Sequence, residues 1–172
     1  MAKRISLREF QQDLSTRLAA TQKTEARLAW LAIQAGNEGW LIDLAESGEI
    51  LSPPPLAAVP LSREWFRGLT NVRGNLFSVV DFPAFLGQTP VAASSEARLL
   101  LIGARHSINT ALLVSRAIGL RNPDDFETDR RFRDDRPWVL GALRDSQDRL
   151  WKRLSARHLL VDPRFLDAAR TT

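Results

Sequence analysis

Few residues of this 172-residue chain are arranged for covalent chemistry. His106 and His158 are the only histidines and lie far apart in sequence, and Cys is absent. A general base needs an aligned partner, and a thiolate nucleophile or zinc site needs cysteine, so neither chemistry finds its groups here. Gly36-Asn-Glu-Gly39 lacks the Lys and Ser/Thr of a phosphate-cradling loop. No G-x-S-x-G elbow occurs, and Asp124-Asp125 sits in a charged stretch with no apolar pocket to raise either pKa. No metal or cofactor is expected. The chemistry on offer is recognition, concentrated between Trp65 and Gly87 around Asn71-x-Arg73-Gly74. A turn at Arg73-Gly74-Asn75 has a local cause, since Gly takes positive φ freely and Asn tolerates it. It does not require an arginine. Arg73 is either a solvated charge or a cation offered to a partner.

The flanking residues supply the scaffold for that turn. Apolar runs at Leu28–Ile33, Trp40–Leu44, Glu49–Leu51, Arg98–Gly103, Thr110–Val114, Ile118–Leu120, Pro137–Leu143 and Leu150–Leu154 alternate with Gly, Pro and Asn turns. Many short strands at near-regular spacing predict an all-β barrel or sandwich with peripheral helices. Pro53-Pro54-Pro55 is an extended crossover, and Ser62 is placed to cap one helical turn over Arg63–Phe66. Asp81 or Phe82 starts a short helix with Pro83 in its first turn and Gly87 at its end. Residues 155–170 read as a terminal helical segment in which Pro163 is a start signal.

Two regions stand apart. Residues 3–24 predict an amphipathic helix, with Leu7, Phe10, Leu14 and Leu18 on one face and Ser6 and Glu9 as a capping box. Its apolar face packs on its own domain or docks a partner. The expected organisation is a helical extension over 1–25 and one domain over 26–168. The other region is the charged stretch 121–137, where five arginines meet six acids and a solvated loop is expected.

The net charge is +4 with pI near 10.5. A small basic nucleic-acid-binding β-barrel is therefore an alternative reading, although no basic stripe interleaved with aromatics is visible. No apolar run is long enough to span a membrane, and Met-Ala-Lys-Arg-Ile-Ser is followed by no apolar signal region, so a cytoplasmic protein is expected.

The order Gly68, Asn71-x-Arg73-Gly74, Val79-Val80-Asp81, Phe85-Leu86-Gly87 resembles the central signature of the CheW-like family, and Trp40–Leu51 with Pro53-Pro54-Pro55 resembles its preceding block. Within the family, Met1–Gln11 and Trp65–Asn75 are similar to the adaptors of type IV pilus chemosensory systems, which serve twitching motility. The resemblance implies two small five-stranded SH3-like β-barrels packed side by side, with a groove between them. It implies a non-enzymatic adaptor joining a chemoreceptor's cytoplasmic tip to the regulatory domain of a CheA-like histidine kinase, in membrane-associated arrays. By motif position it places Glu49, Gly68, Asn71, Arg73, Gly74 and Asp81 in partner-binding or site-shaping roles. Arg73 would meet a carboxylate or a helix's carbonyl end, the glycines would permit close approach, and Asp81 would cap the short helix. The charged stretch 121–137 and the Phe82-Pro83 pair depart from the family's commoner pattern.

Overall fold

The structure, a computed structural model, describes residues 29–102 and 108–169. The expected N-terminal helix and His106 lie outside the described residues. The described chain forms two antiparallel-rich sheets and three single-turn helices. The chain opens with β1 (Trp30–Ala35) and β2 (Glu38–Asp43), joined by a tight turn at Gly36-Asn37. It then crosses to a second lobe: β3 (Ser47–Leu51), β4 (Phe66–Val72), β5 (Asn75–Asp81), α1 (Phe82–Phe85), β6 (Arg98–Ile102) and β7 (Thr110–Val114). Next it returns to the first lobe as β8 (Arg116–Arg121), a 3-10 turn at Pro123–Asp125, β9 (Phe126–Thr128), β10 (Val139–Asp145) and β11 (Leu150–Leu154). It finishes with α2 (Ala156–Leu159) and α3 (Pro163–Leu166). The first sheet runs β8-β1-β2-β11-β10-β9 and the second β3-β6-β7-β5-β4.

The two-lobe β architecture follows the expectation, with one sheet of six strands instead of five. The extra strand is β9, which comes from the charged stretch expected to be a loop. Phe126 explains the difference. Its ring packs at 5.7 Å from Trp30 and 6.2 Å from Trp151, and burying it in the first lobe draws its neighbours onto the edge of β10. The terminal segment is two short helices, separated by a turn at Leu160-Val161 and restarted by Asp162 as N-cap before Pro163. Ser62 caps no helix. Its hydroxyl donates back to the Val59 carbonyl at 2.7 Å, and its backbone bridges Ala169.

Alternation along the strands explains how two sheets become one body. In β2, Trp40 and Ile42 point to a central cluster while Leu41 points to the first lobe's own interior. In β7, Leu112 and Val114 join the same central cluster while Ala111 and Leu113 face the second lobe's interior. A period-2 pattern with both faces apolar reads as a continuous hydrophobic run, and each sheet is covered on both sides. Phe82, Trp138, Leu159 and Phe165 complete the centre.

The second sheet also closes on itself. Its end strands are β3 and β4, and the proline crossover that follows β3 lies along β4. Ala57 and Leu69 exchange backbone hydrogen bonds of 2.8 Å each, and the Thr70 hydroxyl donates to Pro55 O at 3.0 Å. Gly68 makes this approach possible. It sits at φ +117° beside a bulge, and a Cβ there would lie 2.1 Å from Ala57 O. We expect Gly68→Ala to lower unfolding stability by about 2–4 kcal/mol, from the strained φ and the backbone clash together. Urea denaturation checks this, and an unchanged midpoint would show that the crossover is free to move.

Candidate partner-docking site

Four of the six sequence-predicted site residues, Glu49, Asn71, Arg73 and Gly74, gather on the second lobe around the β4–β5 turn and the edge strand β3; Gly68, opposite Val79, and Asp81 lie toward the other end of that hairpin. The turn has two central residues, Arg73 at φ +52° and Gly74 at φ +85°. Positive φ at both central positions is the hairpin geometry whose twist matches the strands. The turn is where expected, but the residue in the left-handed region beside Gly74 is Arg73, not Asn75. Left-handed backbone costs an L-residue with a Cβ roughly 1–2 kcal/mol. Asn71 helps to hold it, its Oδ1 accepting the Gly74 N–H at 2.8 Å. A Cβ on Gly74 would meet nothing within 4 Å, so this glycine answers the backbone and not a close neighbour.

Held this way, the Arg73 side chain is 77% exposed and one of its terminal N–H groups reaches Glu49 Oε1 at 2.8 Å. Glu49 belongs to β3, the far strand of the same sheet, and closure of the sheet brings the two together. Exposed pairs of this kind contribute about 0–1 kcal/mol. Glu49 therefore orients the guanidinium more than it stabilises the fold, and several N–H donors remain free. Leu76, which pairs with Asn71, and Ile50, next to Glu49, put exposed apolar surface on the same strands.

Gly68 and Asp81 are both buried within the lobe. Asp81 is fully buried. Its Oδ1 caps α1 by accepting the Ala84 N–H at 3.1 Å, its Oδ2 accepts the Val91 N–H at 3.0 Å, and Arg67 approaches Oδ2 at 3.3 Å. Burial pushes its carboxyl above the ordinary carboxylate value, against the pull of those N–H groups and Arg67. Phe82 and Pro83, which follow it in the chain, are buried as well.

Between the lobes, where the resemblance implies a groove, lies a pocket of about 370 Å³, with Trp65, Phe85 and Trp138 as apolar lining and Arg63, Arg136 and Arg164 among them. Its residues are far apart in the chain and meet only when both lobes have formed. Arg136 lies 4.7 Å from the Trp138 ring centre and 5.5 Å from that of Trp40, while two of its N–H groups grip Asp134 at 2.8 and 2.6 Å. Arg63 and Arg164 are likewise paired, with Asp167 and Asp162. The charged stretch is also engaged: Arg133 donates to the carbonyls of Arg130 and Phe132, and Asp129 holds Arg144 of β10.

The CheW-like domain profile matches residues 29–164. The chain belongs to the CheW-like family. It is 25% identical over 162 residues to "Protein PilI" of Pseudomonas aeruginosa, covering 91% of this chain and 88% of that protein. The scaffolding protein TtCheW from Thermoanaerobacter tengcongensis has the same fold, with a TM-score of 0.64 at 16% identity over 75% of this chain and 89% of that one. As a CheW-like protein it is an adaptor of chemotaxis-type signalling and not an enzyme. Among the described residues no helix is long and apolar enough to cross a membrane.

The Arg136 side-chain hydrogen bonds hold the Asp134 carboxyl below its ordinary value of 3.8. A carboxylate whose folded pKa is depressed contributes stability above its unfolded pKa, and that contribution disappears as pH falls through the folded value. Arg136→Gln should therefore destabilise the protein at neutral pH, and the gap from wild type should narrow below about pH 3.8 without closing, because the ring contacts do not titrate. Urea unfolding across that range tests this; a gap independent of pH would assign the whole effect to stacking.

Proposed function

We propose that this protein couples the cytoplasmic tip of a methyl-accepting chemoreceptor to the regulatory domain of a CheA-like histidine kinase, in a chemosensory array controlling type IV pilus twitching motility. The observation that carries this reading is Arg73: an arginine kept in unfavourable backbone geometry at an exposed tip, with Glu49 fixing its direction. A residue held against its local preference at a surface is most simply explained by what it touches when a partner arrives. The similarity to PilI supports the pilus assignment. The protein would work in the cytoplasm, recruited to membrane-associated receptors.

In this reading Glu49, Asn71, Arg73 and Gly74 form the contact rim, and Gly68 and Asp81 shape the lobe beneath it. The Arg73 guanidinium would meet a partner carboxylate or the carbonyl end of a receptor or kinase helix, where charge-assisted hydrogen bonds are strongest. The interlobe pocket would take an apolar side chain of the receptor tip, with aromatic rings around it. Coupling is thermodynamic. Kinase activity responds to receptor state only if the assembled complex differs in free energy between the two states, so the adaptor has to hold both partners in register.

Arg73→Glu should abolish capture of a receptor or kinase fragment while leaving the melting temperature near that of wild type. Arg73→Gly, which relieves the left-handed strain, should melt no lower than wild type yet also lose capture. Pull-down with parallel thermal denaturation is the test. Undiminished capture by both well-folded variants would end the role assigned to Arg73.

A further inference from the structure

A third surface carries charge that the docking rim and the interlobe pocket do not use. A hollow of about 310 Å³ is lined by Arg98, Arg116 and Arg149, with Ala117 and Ile118 behind and Glu96 at the side. These residues come from the start of β6, the edge strand β8 and the tip of the β10–β11 hairpin. Unlike Arg63, Arg136 and Arg164, none of the three arginines has a carboxylate within ion-pair distance among the described residues. Arg98 donates to the carbonyls of Ser95 and Ala97 at 2.7 and 2.8 Å, which fixes its guanidinium in place without neutralising it. Arg149 lies 5.4 Å from the Trp151 ring centre. Asp145, on the same hairpin, has its carboxylate occupied by Trp151 Nε1 at 2.9 Å and by the N–H groups of Gln147 and Arg149 at 3.0 Å each.

We propose that this arginine hollow docks an extended, carboxylate-rich segment of a partner protein. Three cations against two carboxylates, Glu96 in the wall and Asp145 beside Arg149, leave a net positive field, and a concave site with apolar backing focuses it. Among the described residues β8 pairs with β1 alone, and its other edge offers backbone groups to an extended chain. Arg116 and Arg121 at its two ends repel a second basic edge of the same kind and complement an acidic one. A nucleic-acid strand fits less well. The hollow has apolar aliphatic backing where bases would need aromatic platforms, and Glu96 opposes a continuous line of phosphates. This surface is independent of the Arg73 rim, and either assignment can fail without the other.

The test uses the full chain and a short fluorescein-labelled poly-glutamate peptide, followed by anisotropy at low and high ionic strength. A single-stranded oligonucleotide of equal charge is the second probe. Wild type should bind the peptide in a salt-sensitive manner. Arg116→Glu/Arg149→Glu should weaken binding at least about tenfold, a loss of charge complementarity at exposed positions. Arg130→Glu/Arg131→Glu, which makes the same change in net charge, should bind within about twofold of wild type if the effect is local. Equal loss in both double variants would reduce the effect to net charge and overturn the proposal. Peptide binding too weak to detect would overturn it as well, as would oligonucleotide binding that is tighter than the peptide's and lost in the same variant. Should the charge-reversed pair fail to fold, Arg116→Gln/Arg149→Gln removes the same cations, and unchanged affinity in that folded variant would be equally fatal.

Discussion

Everything in this molecule depends on the two sheets sharing one hydrophobic centre. Trp40 and Ile42 from one sheet, Leu112 and Val114 from the other, and Phe82 and Trp138 between them are buried together. Adjacent residues on the same strands fill each lobe's separate interior. No sheet could keep this pattern alone, because detaching its neighbour would expose one apolar face. At about 25 cal/mol per Å² of apolar surface, even partial separation is strongly opposed. The connectivity reinforces the arrangement. The chain leaves the first lobe for the second and returns, and its last described residues then bind back across the seam, Arg63 to Asp167 and Ser62 to Ala169.

That rigidity gives the surface its meaning. An adaptor has to present contact groups at fixed separations, and a lobe that rocked freely would absorb a partner's displacement instead of passing it on. Here the rim is tied to the centre through a short series of contacts. Asp81 caps α1 at one end of β5, whose other end carries the Arg73-Gly74 turn. Gly68 lets the crossover close the sheet, and that closure sets Glu49 beside Arg73. Electrostatics follows the same division of labour. The arginines around the interlobe pocket are paired and structural, whereas those of the rim and of the β6–β8 hollow still have donors to offer.

Local residue chemistry made much of this legible. The glycine at the β4–β5 tip, the cap at Asp81 and the start at Pro163 are each decided by a few neighbouring residues, and the sequence shows them. What it concealed was decided at long range. Phe126 becomes part of a strand because Trp30 and Trp151, distant in sequence, offer it a place to bury. Ser62 gives up a cap because the C-terminal segment supplies a strand-like partner. Arg73, not Asn75, takes the left-handed position because the strand register fixes which two residues turn, and intrinsic preference is overruled. Which residues line the interlobe pocket was hidden for the same reason, since its walls meet only after both lobes have formed.

Native-state hydrogen exchange in low denaturant tests the shared centre most directly. If the two sheets are one cooperative body, the slowest amides of β2 and of β7 open with the same free energy and the same denaturant dependence, both equal to those of global unfolding. Exchange of one lobe's strands through a markedly easier opening, while the other stays protected, would contradict the account.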